Sequence, residues 1–284
     1  MVTCVPGGRA RSVLTEGPAR RFADVRWVAE TASTNADAME LVRQGEREGI
    51  VLVADHQTAG RGRAGRTWTA PPEAGLLLTI LLRPPAAVMD LATVAVAVAA
   101  AEAVAAVAGF APRLKWPNDL VWPGDGSRPD RKLAGILAEA DWPVGAEVTA
   151  GWRAPAVHER GVVVVGIGIN VAWPDDLPDE LAEIAVACNH IVTNPVDRED
   201  LLIALLTAFA PRYEALVAGD RAGLLEAWRQ HSATLGRRVR IELGSGDVEG
   251  TAVDITQQGH LVVETPDGER RTFAVGDVVH LRPL

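Results

Sequence analysis

Residues Gly60-Arg61-Gly62-Arg63-Ala64-Gly65-Arg66 alternate three glycines with three arginines over seven positions and are followed by Trp68. Such a segment has no apolar face to bury, so it cannot belong to a core. Glycine lets a backbone turn tightly and approach a ligand closely. Arginine presents a planar fork of donors suited to carboxylates and phosphates. An apolar β run, Ile50–Ala54, leads directly into it. The segment therefore reads as a flexible anion-binding loop at the end of a buried strand.

The rest of the chain restricts which anion. The 284 residues carry 28 basic and 37 acidic side chains, a net charge of −9. That balance argues against broad nucleic-acid or anionic-membrane binding. A local cluster of arginines on an acidic protein suits a small anionic ligand better than a polyanion. Only Cys4 and Cys188 are present, far apart, which suggests neither a disulfide framework nor a zinc site and fits a reducing, cytoplasmic setting. Residues 1–22 contain Arg9, Arg11, Arg20 and Arg21 among Gly and Pro, with no apolar run of signal-peptide length, and read as a mobile tail. Leu91–Phe110 is apolar enough to mimic a membrane span. It is mostly Ala and Val and includes Glu102, which points to the buried helix of a soluble fold.

Strand-like and helix-like segments alternate from Val25 to His231. Strands are expected at Val25–Val28, Ile50–Ala54, Leu76–Leu82, Arg113–Trp116, Leu120–Trp122, Leu133–Glu139 and Val162–Ile169, the last apolar enough for a central position. Helices are expected at Ala36–Gln44, through the Ala/Val-rich stretch, at Asp197–Val217 and at Leu224–His231. Ser33-Thr34-Asn35 looks like a helix N-terminus with capping side chains, and Asp197 with Asp200 resembles a capping box. After Gly236 short strands separated by Gly turns suggest a small β-barrel. The expected division is a tail over 1–22, a main domain over 23–234 and a β domain over 235–284. Asp141–Arg160, rich in Pro, Gly and Trp, reads as an elaborated hairpin loop.

Four further segments stand out: Ser33-Thr34-Asn35, Lys115-Trp116-Pro117-Asn118-Asp119, Lys132-Leu133-Ala134-Gly135-Ile136 and Gly166-Ile167-Gly168-Ile169-Asn170. Each has an ordinary reading when taken alone: a helix cap, an Asx turn, a solvated strand-end lysine, and strand glycines under a close neighbour. Together with Gln57 and the Gly60–Arg66 loop, in this order, they resemble the signature of the biotin–protein ligases over roughly residues 25–284.

That resemblance implies an α+β fold, a catalytic domain like those of class II aminoacyl-tRNA synthetases and biotin ligases, with a mixed sheet, packed helices and an SH3-like β-barrel at the C-terminus. It implies activation of biotin by Mg-ATP to biotinyl-5′-adenylate, then transfer to a lysine of a biotin carboxyl carrier domain of an acyl-CoA carboxylase. The implied catalytic cations are Arg63, Lys115 and Lys132. Lys132 would reach the biotin carboxylate and bridging oxygens, with Arg61 and Arg63 alongside. Lys115 and Arg66 would face the ATP phosphates. Ser33, Thr34, Asn35 and Gln57 would serve the ureido head, and Gly60, Gly135 and Gly166 would border the ligand. Trp68 would be a platform for adenine, and Asn170 an adenine or ribose partner. Asn118 and Asp119 would either help place Mg²⁺ or only shape their turn. Fewer than thirty residues precede the first expected strand, too few for a three-helix DNA-binding unit, so repressor activity and nucleic-acid partners are not expected. A lipoate or octanoyl ligase on the same fold is the alternative.

Overall fold

A computed structural model describes residues 7–124, 129–141, 159–244 and 246–281. Cys4, residues 125–128 of the Pro123–Asp130 turn and most of the Asp141–Arg160 hairpin loop lie outside the described residues. The chain begins with a short helix, α1 (Gly8–Val13), and a 3-10 turn, Pro18–Phe22. Strand β1 (Asp24–Thr31), helix α2 (Thr34–Arg43), strands β2 (Ile50–Gln57) and β3 (Gly75–Leu82) and the long helix α3 (Ala92–Ala108) follow. Next come β4 (Arg113–Lys115), β5 (Asp119–Trp122), β6 (Arg131–Asp141) and β7 (Val162–Asn170). Helices α4 (Asp179–Ala182), α5 (Arg198–Val217) and α6 (Ala222–His231) precede the final strands. These are β8 (Arg238–Glu242), β9 (Val248–Ile255), β10 (Leu261–Glu264), β11 (Arg270–Phe273) and β12 (Asp277–His280).

Strands β1 to β7 make one sheet in the order β1-β2-β3-β7-β6-β5-β4. Only β1 and β2 run parallel, so the sheet is mixed. Period-2 alternation divides its faces. Leu76, Leu78, Ile80 and Leu82 of β3, with Val163, Val165, Ile167 and Ile169 of β7, meet α3 and α5 in the main core. Leu81 and Val164 point the other way, onto Ala38 of α2. The remainder of that second face carries Thr79, Gly135, Gly166 and Gly168, and it is where the site lies.

The stretch Ala86–Ala108 has the length and apolarity of a membrane span, yet 67% of its most apolar window is buried in the fold, as in an interior helix. Asp197 accepts a hydrogen bond from the Asp200 amide at 2.8 Å, capping α5 as expected. The N-terminal segment corrects the expectation of a mobile tail where it is described. Ala10 and Leu14 are buried, the Ala10 amide donates to Glu199, and Arg9 pairs with Asp197 and Asp200 at the start of α5. An apolar stripe only two residues wide does not register as a helix, but it suffices to dock one.

The last five strands form an antiparallel sheet in the order β11-β10-β9-β8-β12, and the described pairing does not join β11 to β12. This sheet is tied to the first. The Trp116 indole donates to Gly259 O at 3.1 Å, and the Trp116 amide donates to Thr234 Oγ1 at 3.0 Å. Nearby, Asp130 lies 2.8 Å from both His280 Nδ1 and an Arg237 guanidinium nitrogen. Burial acts to raise the Asp130 pKa, but hydrogen bonds from His280 and the Gly124 amide, with the Arg237 charge, outweigh it and bring it to about 2. Burial, with Lys115 and Arg237 adding to it, lowers His280 against the opposing pull of Asp130.

Both shifts act in one direction. A carboxyl depressed in the folded state stabilises above its unfolded pKa and loses that contribution as pH falls toward 2. A histidine depressed in the folded state is protonated first in the unfolded chain, so stability also drops as pH falls below about 6.5. Asp130→Asn is expected to destabilise by about 2 kcal/mol at pH 7. Thermal unfolding from pH 7 to pH 3 should show a lower melting point for the variant, with the gap narrowing toward acid.

Candidate active site

The Gly60–Arg66 segment is a small hairpin rather than an irregular loop. The Trp68 amide donates to Gly60 O at 2.9 Å, Arg61 bridges Thr67, and the Gly62 amide donates to Arg66 O at 2.7 Å. Its tip turns at Ala64 and Gly65, with φ of 52° and 73°. The left-handed region suits glycine and costs alanine about 1–2 kcal/mol. The hairpin folds over the glycine-bearing face and lays Trp68 on it. A Cβ at Gly135 would come within 2.8 Å of the Trp68 ring and one at Gly168 within 2.6 Å, so both positions leave room for the indole. A Cβ at Gly166 would fall on Asn35 Oδ1. Gly135 and Gly166 thus border the cavity while housing side chains. Gly60 does not line the cavity; it sits under the Trp68 carbonyl.

Under the hairpin is a cavity of about 360 Å³, a size suited to a small ligand. Its lining includes Ser33, Thr34, Asn35, Gln57, Arg61, Arg63, Arg66, Trp68, Lys115, Asn118, Asp119 and Lys132, and also Glu242 and Asp277 of the C-terminal sheet. One end is polar and uncharged. The cap of α2 is not the Ser33 side chain, as expected from sequence. Gln57 Oε1 accepts from the Thr34 amide at 2.8 Å and from the Thr34 hydroxyl at 3.1 Å. Ser33 is 4% exposed, and its hydroxyl has no hydrogen-bond partner among the described residues. Asn35 is fully engaged through its nitrogen, which donates to Leu137 O and Glu139, and its oxygen lies 2.7 Å from the Thr79 hydroxyl. Its carboxamide builds the wall. Ser33 Oγ and Gln57 Nε2 remain as polar groups for a ligand.

The other end is cationic. Lys132 reaches it through a β-bulge. Leu120 and Val121 of β5 oppose Ala134 and Lys132 of β6, so Leu133 is an extra residue. Beyond the bulge, Gly135 and Leu137 face the cavity; the extra residue shifts the alternation and brings Lys132 to the same face. Lys132 Nζ lies 2.6 Å from Asp119 and 5.5 Å from the Trp68 ring centroid. Its backbone is held by Val186 and by Asn170, whose Nδ2 donates to Lys132 O at 3.3 Å and Val186 O at 3.1 Å. Lys115, at the end of β4, has no carboxylate partner among the described residues. Arg63 contacts Asn118 Oδ1, Gly276 O and Asp277, and Arg66 donates to both Asp277 oxygens at 2.8 and 3.0 Å. Arg61 lies apart from this cluster, beside Asn35, where it pairs with Glu139 at 2.9 Å.

Three further sequence expectations change. Asn170 is buried, lies outside the cavity lining, and its Nδ2 anchors the Lys132 backbone. Asn118 lines the cavity, but its carboxamide already serves Arg63 and Ile136 O. Asp119 faces a lysine rather than an open metal position, and no group of three His, Cys, Asp or Glu side chains fit to hold a metal occurs among the described residues. Sequence reasoning missed Thr79, Glu139 and Asp277. Thr79 had a signal as the one polar residue in the apolar run Leu76–Leu82. Asp277 had none, because it meets Arg66 only through the packing of two sheets.

Residues 27–149 match the model of the biotin/lipoate A/B protein ligase family, and residues 234–281 that of the biotin protein ligase C terminal domain. A biotin–[acetyl-CoA-carboxylase] ligase of Mycobacterium tuberculosis is 35% identical over 90% of this chain and 88% of its own length. A bifunctional ligase/repressor BirA of Bacillus subtilis is 31% identical over 86% of this chain and 70% of its own. The biotin protein ligase of Aquifex aeolicus, solved with biotin and ATP, superposes with a TM-score of 0.71 at 26% identity, covering 92% of this chain and 99% of that one.

Proposed function

The chain belongs to the biotin/lipoate A/B protein ligase family, and we propose that the cavity under the Gly60–Trp68 hairpin is where it joins biotin to AMP and hands it to a carrier lysine. The activity is that of a biotin–protein ligase, with biotin and ATP as substrates. The observation that carries the assignment of the site is the polarity of one cavity: uncharged hydrogen-bonding groups at one end, and Lys115, Lys132 and Arg63 at the other.

In the first step a biotin carboxylate oxygen attacks the α-phosphorus of ATP, the bond to the bridging oxygen breaks, and pyrophosphate leaves. Negative charge concentrates on the phosphoryl group, and fixed cations stabilise it more than they stabilise the separate substrates. Lys132, held by its bulge, faces the carboxylate and the bridging oxygens. Lys115 and Arg66 face the outer phosphates, and Arg63 covers the junction. The ureido ring meets Ser33 and Gln57, with Thr34 and Asn35 shaping that end. Trp68 closes the cavity against water, which would hydrolyse the mixed anhydride. In the second step a neutral carrier lysine attacks the acyl carbon, AMP leaves, and the amine gives up a proton. Mg²⁺ would come as part of the Mg-ATP substrate and would offset phosphate charge beside Lys115 and Arg66.

The finer parts of this reading include a biotin carboxyl carrier domain of an acyl-CoA carboxylase as the acceptor and a cytoplasmic setting. Two domains, over 23–234 and 235–284, the second of SH3-like type, complete it. The buried, unreactive Cys188 thiol, pushed up to about 12 by burial, is in keeping with a reducing compartment. The competing substrate within the family is lipoate. Incubating the protein with Mg-ATP, labelled pyrophosphate and either acid separates the two. Exchange into ATP is expected with biotin and not with lipoate; the reverse preference would make the chain a lipoate ligase.

A further inference from the structure

Glu139 lies on β6, on the same face as Gly135 and Leu137 but outside the cavity lining. Its Oε2 is 2.9 Å from Asn35 Nδ2 and 2.9 Å from an Arg61 guanidinium nitrogen. One carboxylate oxygen therefore joins the start of α2 to the hairpin that covers the cavity. It also settles which way the Asn35 carboxamide points. The Leu137 carbonyl and an ionised carboxylate only accept, so both face the amide nitrogen, and the amide oxygen turns to the Thr79 hydroxyl.

We propose that Glu139 is a positioning residue for biotin recognition: it orients the Asn35 wall and docks Arg61, so that the hairpin closes in register over the ureido end without Glu139 touching the substrate. This rests on the assignment of the cavity to biotin. The Arg61 and Glu139 side chains are 44% and 30% exposed, so their pairing adds little to folding stability. A purely structural role would thus leave a small, unselective mark. A positioning role concentrates the effect on one substrate, because Lys115 and Lys132 at the far end do not depend on this contact.

Glu139→Ala is expected to raise the KM for biotin roughly 30-fold, with kcat within about threefold and the KM for ATP unchanged. Glu139→Gln retains an acceptor but lacks the charge, and should give an intermediate rise. Arg61→Ala combined with Glu139→Ala should cost no more than the larger of the two single changes, since they break one connection. Steady-state pyrophosphate exchange gives these constants, with circular dichroism to confirm that each variant is folded. An unchanged biotin KM in folded Glu139→Ala overturns the proposal. So does an equal rise for biotin and ATP, or a fully additive double variant. If the wild-type protein exchanges pyrophosphate with lipoate and not with biotin, the assignment of the cavity fails first, independently of any Glu139 variant.

Discussion

Lys132→Ala is expected to lower the rate of biotin-dependent pyrophosphate exchange about 10³-fold and to leave the fold intact. Removing one preorganised donor from a site of charge development costs about 10²–10³ in rate, and this lysine is placed to serve both the carboxylate and the phosphoryl oxygens. Its position depends on the Leu133 bulge, the backbone clasp of Asn170 and Val186, and the Asp119 carboxylate 2.6 Å from its ammonium. The lysine and aspartate side chains are 37% and 22% exposed. The pair therefore contributes about 1 kcal/mol or less to stability, and a normal melting point should accompany the lost activity. Lys132→Arg keeps the charge but not the compact ammonium, so partial activity is expected. Exchange by Lys132→Ala within tenfold of the parent would remove this lysine from the chemistry.

Gly168→Ala should be the most damaging small change away from the cations. The added Cβ would lie 2.6 Å from the Trp68 ring. Gly168 cannot retreat, because β7 is paired with β3 on one side and with β6 on the other. The indole must move instead, and the Gly60–Trp68 hairpin moves with it. Overpacking of this kind costs about 1–3 kcal/mol, and displacing the cover of the cavity should reduce exchange on the order of 100-fold. The cause is identifiable by a double-mutant cycle. Trp68→Ala removes the obstacle, so Gly168→Ala should add almost nothing to the stability loss in that background. Full additivity of the two changes would show that the glycine is needed for another reason.

The elements whose interactions are local or strictly periodic were legible from sequence. Strand β7 reads as a central strand because the run Val162–Ile169 is almost wholly apolar, and all nine residues of the strand are buried. Helix α5 announces its own cap through Asp197 and Asp200. The grouping of Gln57, Lys115, Lys132 and the Gly-Arg segment was implied by the family resemblance, not by any one segment alone, and these residues do line one cavity. What was not legible depends on geometry across the chain. Ser33 has the composition of a cap, yet Gln57 supplies the acceptor from β2, and this leaves the serine hydroxyl free for a ligand. Asn118 and Asn170 have the composition of ligand contacts, yet the Asn118 carboxamide is engaged by Arg63 and Ile136 O, and the Asn170 Nδ2 holds the Lys132 backbone. Nothing in the pattern around Leu133 announces a bulge, although the bulge is what turns Lys132 toward the cavity. Asp277 meets Arg66 from 211 residues away, and Glu139 is one of many glutamates until its oxygen is seen between Asn35 and Arg61.

The central claim, that one cavity joins biotin to AMP and passes it to a protein amine, is tested most directly by transfer itself. The purified protein would be incubated with biotin, Mg-ATP and a biotin carboxyl carrier domain, and the carrier examined by intact-mass and peptide mass spectrometry. The account predicts one biotin per carrier, on a single lysine, formed only when ATP is present and lost with Lys132→Ala. An unmodified carrier, together with no biotin-dependent pyrophosphate exchange, would contradict it.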